Sequence, residues 1–118
     1  MKILFLGDVM GRAGRRAITE NLARLRTEWK LDFIVVNGEN ATSGMGLSGS
    51  HAKDLLDAGA DCLTLGDHAF DQKDMLAFIE QEPRIIRPLN FSKNAPGKGA
   101  RLFKTRTGKQ VLVTQALG

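Results

Sequence analysis

The chain has 118 residues, 42% of them hydrophobic and 25% charged, with a formal net charge of +4. These values are ordinary for a water-soluble globular protein, and they exclude a disordered chain, a low-complexity chain and a strongly basic nucleic-acid arm. The longest apolar runs are far too short to span a bilayer, and acid and glycine interrupt the N-terminal run at once, unlike a signal peptide. We therefore expect a single domain over residues 1–118 with no membrane partner.

The cysteine count and the charge balance bear on compartment and ligand. Cys62 is the only cysteine and lies between apolar residues, so we expect a small buried side chain in a reducing, cytoplasmic setting. The basic residues are scattered along the chain. Their excess suits an anionic ligand such as a small phosphate ester, and nucleic acid is not indicated.

The N-terminal segments alternate between strand and helix patterns. Residues 2–7, "KILFLG", are a short apolar run that ends at glycine, which predicts a buried strand. After the turn "DVMGRAGRR", apolar residues recur at spacings of three and four from Ala13 to Lys30, which predicts a helix. Residues 33–36 predict a second strand, which "NGEN" and the glycine- and serine-rich loop "ATSGMGLSGS" follow.

The same alternation continues through the middle of the chain. Residues 50–58 predict a short helix with Gly59 as its C-terminal stop. The run "DCLTLG", residues 61–66, predicts a third strand with "DHAFD" as its loop. Asp71 can cap a third helix that continues through Ile79.

The last third of the chain predicts strands alone. "RIIRPLN" is typical of a short fourth strand, and residues 101–115 predict two strands about the turn Thr107-Gly108-Lys109. Strands that alternate with helices indicate an α/β fold with a mainly parallel sheet flanked by helices. The final "VLVTQALG" resembles a strand that runs into a loop, so we expect a truncated piece of a longer protein.

Three acids follow predicted strands directly after glycine, in "GD", "GEN" and "GDH". If the strands are parallel neighbours, Asp8, Glu39 and Asp67 fall on the same edge of one sheet, where ligands bind in such folds. Asn40 adds a neutral carbonyl oxygen and His68 a nitrogen or a proton. Carboxylates suit Mg, Mn or Fe(II), and a bridging carboxylate suits two metals about 3.5–4 Å apart.

Each of these residues also has a plainer interpretation. An acid at a strand end often caps the next helix or fixes a turn, and a lone loop histidine more often bonds to backbone than catalyses. Beside a metal-binding acid, His68 becomes a candidate general acid. His51 begins a helix, and we expect it to face solvent or to cap that helix.

The glycines of "GDVMGRAGRR" also invite a dinucleotide-binding interpretation. Their spacing is wrong for G-x-G-x-x-G, and Asp8 would repel a pyrophosphate. Backbone amides and Arg12 near the start of the helix can still hold a phosphate, which makes Arg12 a candidate substrate-binding residue. Alternatively, the glycines only make the turn tight.

Three segments, "MKILFLGDVMGRAGRR", "FIVVNGENATSGMGLS" and "LTLGDHAFDQKDM", together resemble the YmdB-like branch of the calcineurin-like metallophosphoesterases. The resemblance covers essentially the whole chain, in order. It implies an α/β sandwich, a hydrolase with a binuclear site for iron or manganese, with Mg also suitable, and phosphodiesterase activity on small substrates such as 2′,3′-cyclic nucleotides.

The same resemblance implies roles for single residues. Asp8 resembles a ligand of the first metal, Glu39 the bridging carboxylate, and Asn40 a residue that completes the first-metal or substrate shell. Asp67 stands where the family usually has asparagine in a G-N-H motif that binds the second metal, and it adds a negative charge. His68 is similar to the catalytic histidine of that motif.

The resemblance also implies metal-binding histidines from a second half of the chain, which the two histidines of this sequence do not replace. We therefore expect a truncated N-terminal portion of a metallophosphoesterase with a half-built site, weak metal binding and little turnover. The alternative is a catalytically inactive fragment that associates with itself as a homo-oligomer through an open sheet edge and keeps at most a weak cation site. A third hypothesis is a nucleotide-binding module without hydrolysis.

Overall fold

A computed structural model describes all residues, 1–118, and its centre is a four-stranded parallel sheet. The strands are β1 (Ile3–Leu6), β2 (Phe33–Asn37), β3 (Cys62–Thr64) and β4 (Ile85–Ile86), in the spatial order β1-β2-β3-β4. The connections contain the helices α1 (Gly11–Glu28), α2 (Gly49–Asp57) and α3 (Met75–Gln81). The prediction of an α/β fold with a mainly parallel sheet is confirmed.

The register of the sheet brings the ends of its first three strands to one edge. Leu6 of β1 lies beside Val36 of β2, and Asn37 of β2 lies beside Thr64 of β3. The carboxyl ends of all three strands therefore lie side by side at this edge. The loops that carry the predicted site residues start next to one another.

The helices share one core with one face of the sheet. Alternate strand residues point to opposite faces, and Ile34, Val36 and Leu63 point toward the helices, where they are fully buried. Ile18 and Leu22 of α1 pack there with residues of the other two helices: Ala52, Leu55, Leu56, Met75 and Ile79. Burial of each large apolar side chain stabilises the fold by about 1.5–3 kcal/mol.

An antiparallel ribbon covers part of the opposite face. Its strands are β5 (Ala100–Lys104) and β6 (Gln110–Thr114), joined by a turn in which Gly108 has φ +86°. The ribbon packs against the sheet in a second core, which contains Phe103, Val111 and Val113 of the ribbon and Phe33, Val35, Cys62 and Ile86 of the sheet. Cys62 is fully buried, as predicted, and this burial raises the pKa of its thiol to about 12.

Several element bounds differ from the sequence-based prediction. Helix α1 begins two residues before Ala13 and stops before Lys30, whose φ of +53° is incompatible with a right-handed helix. Helix α3 starts at Met75, because residues 71–72 form a bend and residues 73–74 a turn. The predicted capping by Asp71 is therefore wrong. None of the three helices combines the length and apolar character needed to cross a membrane.

Strand β4 is shorter than predicted, with two residues instead of the expected "RIIRPLN". Its pairing with β3 ends after Ile86, because the backbone N–H of Arg87 donates to the backbone carbonyl of Lys98 in the following loop, over 3.0 Å. The next residue, Pro88, has no backbone N–H to donate. The chain after Ile86 therefore leaves the sheet.

Strand β1 forms an open edge of the sheet, because its only neighbour is β2. The side chains of Ile3 and Phe5 lie beside the ribbon and are 49% and 61% exposed. With Val35 and Leu112 they line an open groove of about 440 Å³. Large apolar side chains thus remain exposed on one side of the molecule.

Candidate metal and phosphate site

The loops after β1 and β2 are joined by hydrogen bonds at the edge of the sheet. Asp8 follows β1 with a φ of +50°, a left-handed conformation that non-glycine residues seldom adopt. The side-chain amide of Asn40 donates to Asp8 Oδ1 over 2.9 Å, and the backbone N–H of Gly11 donates to the carbonyl of Asn40 over 3.1 Å. The side chains of Asp8 and Asn40 are therefore in direct contact.

Glu39 extends from the second loop toward the third. A Cβ at Gly66 would lie 2.1 Å from Glu39 Oε2, so the carboxylate rests against the bare backbone of that glycine. Gly66 is buried and directly precedes the exposed Asp67. The carboxylate of Glu39 therefore lies at the start of the loop that carries Asp67 and His68.

His68 is held by Asp71, the acid predicted to cap the third helix. Its ring Nδ1 lies 2.7 Å from Asp71 Oδ2, and the two side chains are 46% and 34% exposed. This hydrogen bond, and then the negative charge of Asp71, raise the pKa of His68 above its usual value. The charges of Asp67 and Glu39 raise that pKa further, which agrees with their position near the ring.

The glycine-rich loop 40–48 packs against the loop that carries His68. A Cβ at Gly46 would lie 2.7 Å from the backbone oxygen of His68, so the two backbones are in close contact. The side-chain amide of Gln72 donates to the carbonyl of Met45 over 2.7 Å. The guanidinium of Arg15, on α1, donates to the carbonyl of Ala41 at the other end of the loop. The loop is therefore tied to its surroundings at both ends.

His51, on α2, makes a hydrogen bond to the same loop. The prediction that it faces solvent or caps α2 is wrong, because the ring is partly buried and its Nδ1 lies 2.7 Å from Thr42 Oγ1. The capping residue is Ser48, whose hydroxyl accepts from the backbone N–H of His51 over 3.3 Å. Burial and the positive charge of Arg15 lower the pKa of His51.

Arg12 lies on the first turn of α1 and is exposed. It takes part in none of the five ion pairs of the chain. With Arg16 it lines an open depression of about 780 Å³ along the outer side of that helix. Arg12 is therefore a free cation, and its role in substrate binding remains a prediction.

The donor chemistry of the site fits a divalent cation of the hard kind. Asp8, Glu39, Asn40 and Asp67 offer carboxylate and amide oxygens, which suit Mg and Mn and, with a histidine, Fe(II). In this structure, however, no group of three His, Cys, Asp or Glu side chains is close enough to hold a metal ion. The structure joins Asp8 to Asn40 and brings Glu39 to Gly66. The role of each as a metal ligand remains a prediction.

Sequence reasoning missed three residues that support the site: Arg15, Asp71 and Gln72. The spacing of "HAFD" was an available signal for Asp71, because residues three apart in a turn lie side by side. No comparable local signal exists for Arg15 and Gln72. Their hydrogen bonds reach the carbonyls of residues 26 and 27 positions away in the sequence.

Comparisons with known proteins agree with this architecture. The family model described as YmdB-like protein matches residues 4–118. A 2′,3′-cyclic-nucleotide 2′-phosphodiesterase from Bacillus subtilis is 41% identical over 118 residues, which are 100% of this chain and 44% of the relative. A putative phosphatase/phosphodiesterase from Mycoplasma genitalium is 40% identical over 122 residues, covering 100% and 43% of the two chains.

Solved structures show the same fold. A hypothetical protein from Thermus thermophilus superposes with a TM-score of 0.91 at 37% identity, over 100% of this chain and 45% of that one. A phosphatase from Mycoplasma pneumoniae superposes with a TM-score of 0.89 at 38% identity, over 100% and 43%. The chain spans less than half the length of these relatives. Because the family model matches nearly every residue, the chain belongs to the family of YmdB-like proteins.

Proposed function

We propose that this chain supplies metal-binding and catalytic residues to a metal-dependent phosphodiesterase. The observation that carries the proposal is the meeting of three strand ends, where Asp8 bonds to Asn40 and Glu39 rests against Gly66. The names of the relatives, a 2′,3′-cyclic-nucleotide phosphodiesterase and a phosphatase/phosphodiesterase, support phosphate esters such as 2′,3′-cyclic nucleotides as the substrate class.

Two divalent cations complete this proposal, with Fe or Mn preferred and Mg also suitable. Asp8 and Asn40 would hold one, Asp67 the other, and Glu39 would bridge them. When bound, such cations lower the pKa of a water molecule and stabilise the charge that develops on a phosphate ester.

His68 acts as the general acid. Its side chain is about half exposed at the mouth of the site, so it can reach a bound phosphodiester and protonate the oxygen that leaves phosphorus. Arg12 is a free cation on the first turn of α1 and attracts the phosphate. A reducing, cytoplasmic setting belongs to the same proposal, since a chain with a single cysteine forms no internal disulfide.

Metal binding is the first test, and it needs no turnover. Mn²⁺ is paramagnetic and broadens NMR signals of nearby nuclei. In a ¹⁵N-labelled sample, we expect it to broaden the amides of Asp8, Asn40 and Asp67 selectively. Glu39→Gln should weaken this broadening, whereas Asp57→Asn, an exposed acid at the end of α2, should not. Equal broadening in Glu39→Gln and in the unchanged chain would contradict the proposed site.

Hydrolysis is the second test. Mn²⁺- or Fe²⁺-dependent cleavage of bis-p-nitrophenyl phosphate and of a 2′,3′-cyclic nucleotide should be lost in Glu39→Ala and in His68→Ala. The Asp57→Asn variant should cleave both substrates like the unchanged chain. Cleavage that persists in the Glu39→Ala protein, or without any metal, would refute the proposed chemistry.

A second candidate function is a catalytically inactive chain that associates with itself. The open edge of β1, with Ile3 and Phe5 exposed beside it, favours this alternative, because unpaired strand edges template pairing between chains. Light scattering coupled to gel filtration tests it. Phe5→Lys should lower the measured mass, whereas Leu76→Lys, a similarly exposed apolar position on α3, should not. A monomer in every case would rule this candidate out.

A further inference from the structure

The carboxylate of Asp71 has one hydrogen-bond partner in the chain, the imidazole of His68. Acids at such positions usually cap a helix, but α3 starts four residues later, and its N-cap residue is Asp74. No backbone N–H of α3 donates to the carboxylate of Asp71, whose one hydrogen bond is to His68. The hydrogen bonding of this acid therefore serves the ring of His68 rather than the helix.

The hydrogen bond between Asp71 and His68 selects one tautomer of the neutral imidazole ring. An ionised carboxylate only accepts hydrogen bonds, so the Nδ1 that lies 2.7 Å from Asp71 Oδ2 must carry a hydrogen. A neutral imidazole has one N–H, so the other nitrogen, Nε2, is then the free base. Every proton that His68 gains or releases while the contact persists therefore passes through Nε2.

The backbone of His68 is fixed as well. Its carbonyl oxygen packs against Gly46, where a Cβ would stand only 2.7 Å away. Two side chains on the same loop tie it to the neighbouring segment, since Gln72 donates to the carbonyl of Met45 and Asp74 accepts from the backbone N–H of Gly49. With the backbone held in this way, the contact with Asp71 decides where the ring points.

We propose that Asp71 is a positioning residue for His68, an inference that rests on the proposed phosphodiesterase function. As the oxygen of a water molecule forms its bond to phosphorus and releases its proton to solvent, the bond from phosphorus to the leaving oxygen breaks, and the electron pair of that bond stays on the leaving oxygen. The oxygen takes a proton from Nε2 of the protonated His68. Asp71 keeps the hydrogen on Nδ1 and takes up no proton itself. Without Asp71 the ring can rotate and adopt the other tautomer, which turns the proton away from the substrate.

The tautomer can be measured directly and without metal or substrate. The chain has only two histidines, so a long-range ¹⁵N–¹H NMR spectrum contains two rings, and His51→Gln leaves the signals of His68 alone. At a pH at which the ring is neutral, we expect Nδ1–H to predominate in the unchanged chain. In Asp71→Ala, Nε2–H should predominate, as it does for free histidine in water.

Two further variants make the result specific. Asp71→Asn keeps an acceptor oxygen of the same size, so it should preserve part of the Nδ1–H population and serves as a second variant if alanine disturbs folding. Asp67→Asn removes the charge of the adjacent acid, which makes no hydrogen bond to the ring, and should leave the tautomer unchanged. A His68 ring that carries its hydrogen on Nε2 in the unchanged chain, or that is unaffected by Asp71→Ala, would overturn the proposal.

Kinetics then separate this inference from the function on which it rests. In an active preparation, Asp71→Ala should lower kcat about 10- to 100-fold with little change in KM, because supporting hydrogen bonds to site residues have effects of this size. The Asp71→Asn variant should fall in between. If the tautomer shifts but no preparation hydrolyses phosphodiesters, the positioning role stands and the phosphodiesterase proposal fails. If His68→Ala abolishes hydrolysis while Asp71→Ala leaves kcat unchanged, the positioning role is refuted.

Discussion

The carboxylate of Glu39 occupies the space in which position 66 would have a side chain, with Oε2 only 2.1 Å from where a Cβ would stand. Glycine is therefore required there by a contact between two loops and not by backbone conformation, since φ at Gly66 is not in the left-handed region. This contact links the acid after β2 to the loop after β3.

Gly66→Ala should displace the carboxylate of Glu39. The new methyl group meets the mobile end of a side chain that can swing aside, so the free energy of unfolding should fall only by about 1 kcal/mol. The effect on Mn²⁺ binding should be larger, because a ligand has moved. Urea unfolding and Mn²⁺ titration measure the two effects. In a double-mutant cycle with Glu39→Ala, the cost of Gly66→Ala should nearly vanish, and an unchanged cost would contradict the steric explanation.

Gly46→Ala should be more damaging than Gly44→Ala. Both glycines have positive φ, +80° and +75°, so alanine loses about 1 kcal/mol of conformational preference at either position. At Gly46 the added Cβ also meets the backbone oxygen of His68 at 2.7 Å, whereas at Gly44 the nearest atom is the sulfur of Met10 at 3.4 Å. Thermal unfolding of the two variants tests this difference, and equal stability would show that the loops separate without cost.

The stability of the fold should fall in mild acid because of His51. Its pKa is lowered in the folded state, so between that value and the usual histidine pKa of about 6.5 the unfolded chain binds more protons. The stabilisation is therefore present above the usual pKa and is lost as pH falls toward the folded value. Because the raised pKa of His68 adds stability as pH falls over the same range, the loss should be measured in a His68→Gln background, by urea unfolding between about pH 8 and about pH 5.5. His51→Gln should reduce it, and identical pH dependence in both proteins would contradict the prediction.

Arg15→Gln should raise the pKa of His51. Burial is the larger cause of the lowered pKa and remains in this variant, but the second cause, the positive charge of Arg15, is removed. An NMR titration of the His51 ring measures the change directly. Arg16→Gln is the matched control, because Arg16 is exposed and paired with Glu20 over 2.7 Å. A His51 pKa that moves equally in both variants would indicate a general effect of net charge.

The parallel sheet and the place of its acids could be predicted from the sequence because the signals are local. Each apolar run ends at or near glycine, and an acid follows at once, so the strand order alone brings Asp8, Glu39 and Asp67 to one edge. The roles of these acids as metal ligands stay predictions. The resemblance added the family, which the family model confirms.

Other features had no local signal or had an ambiguous one. The sequence predicts a helix cap at Asp71, but an aspartate before a helical pattern can accept a hydrogen bond from a backbone amide or from a side chain with equal ease. The contacts of Arg15 and Gln72 join segments that are distant in the sequence, so they depend on the packed fold. The partial burial of His51 also depends on the packed fold, in which its ring contacts Thr42 of loop 40–48.

The unpaired edge of β1 has a consequence for amide hydrogen exchange. The carbonyl of Lys2 accepts from the N–H of Phe33, so the backbone polar groups of alternate residues, Leu4 and Leu6, face β2, while those of Ile3 and Phe5 face outward. In deuterium oxide, Ile3 and Phe5 should therefore exchange within the dead time of the measurement, while Leu4 and Leu6 remain protected. Slow exchange at all four amides would mean that another strand has docked along this edge in solution.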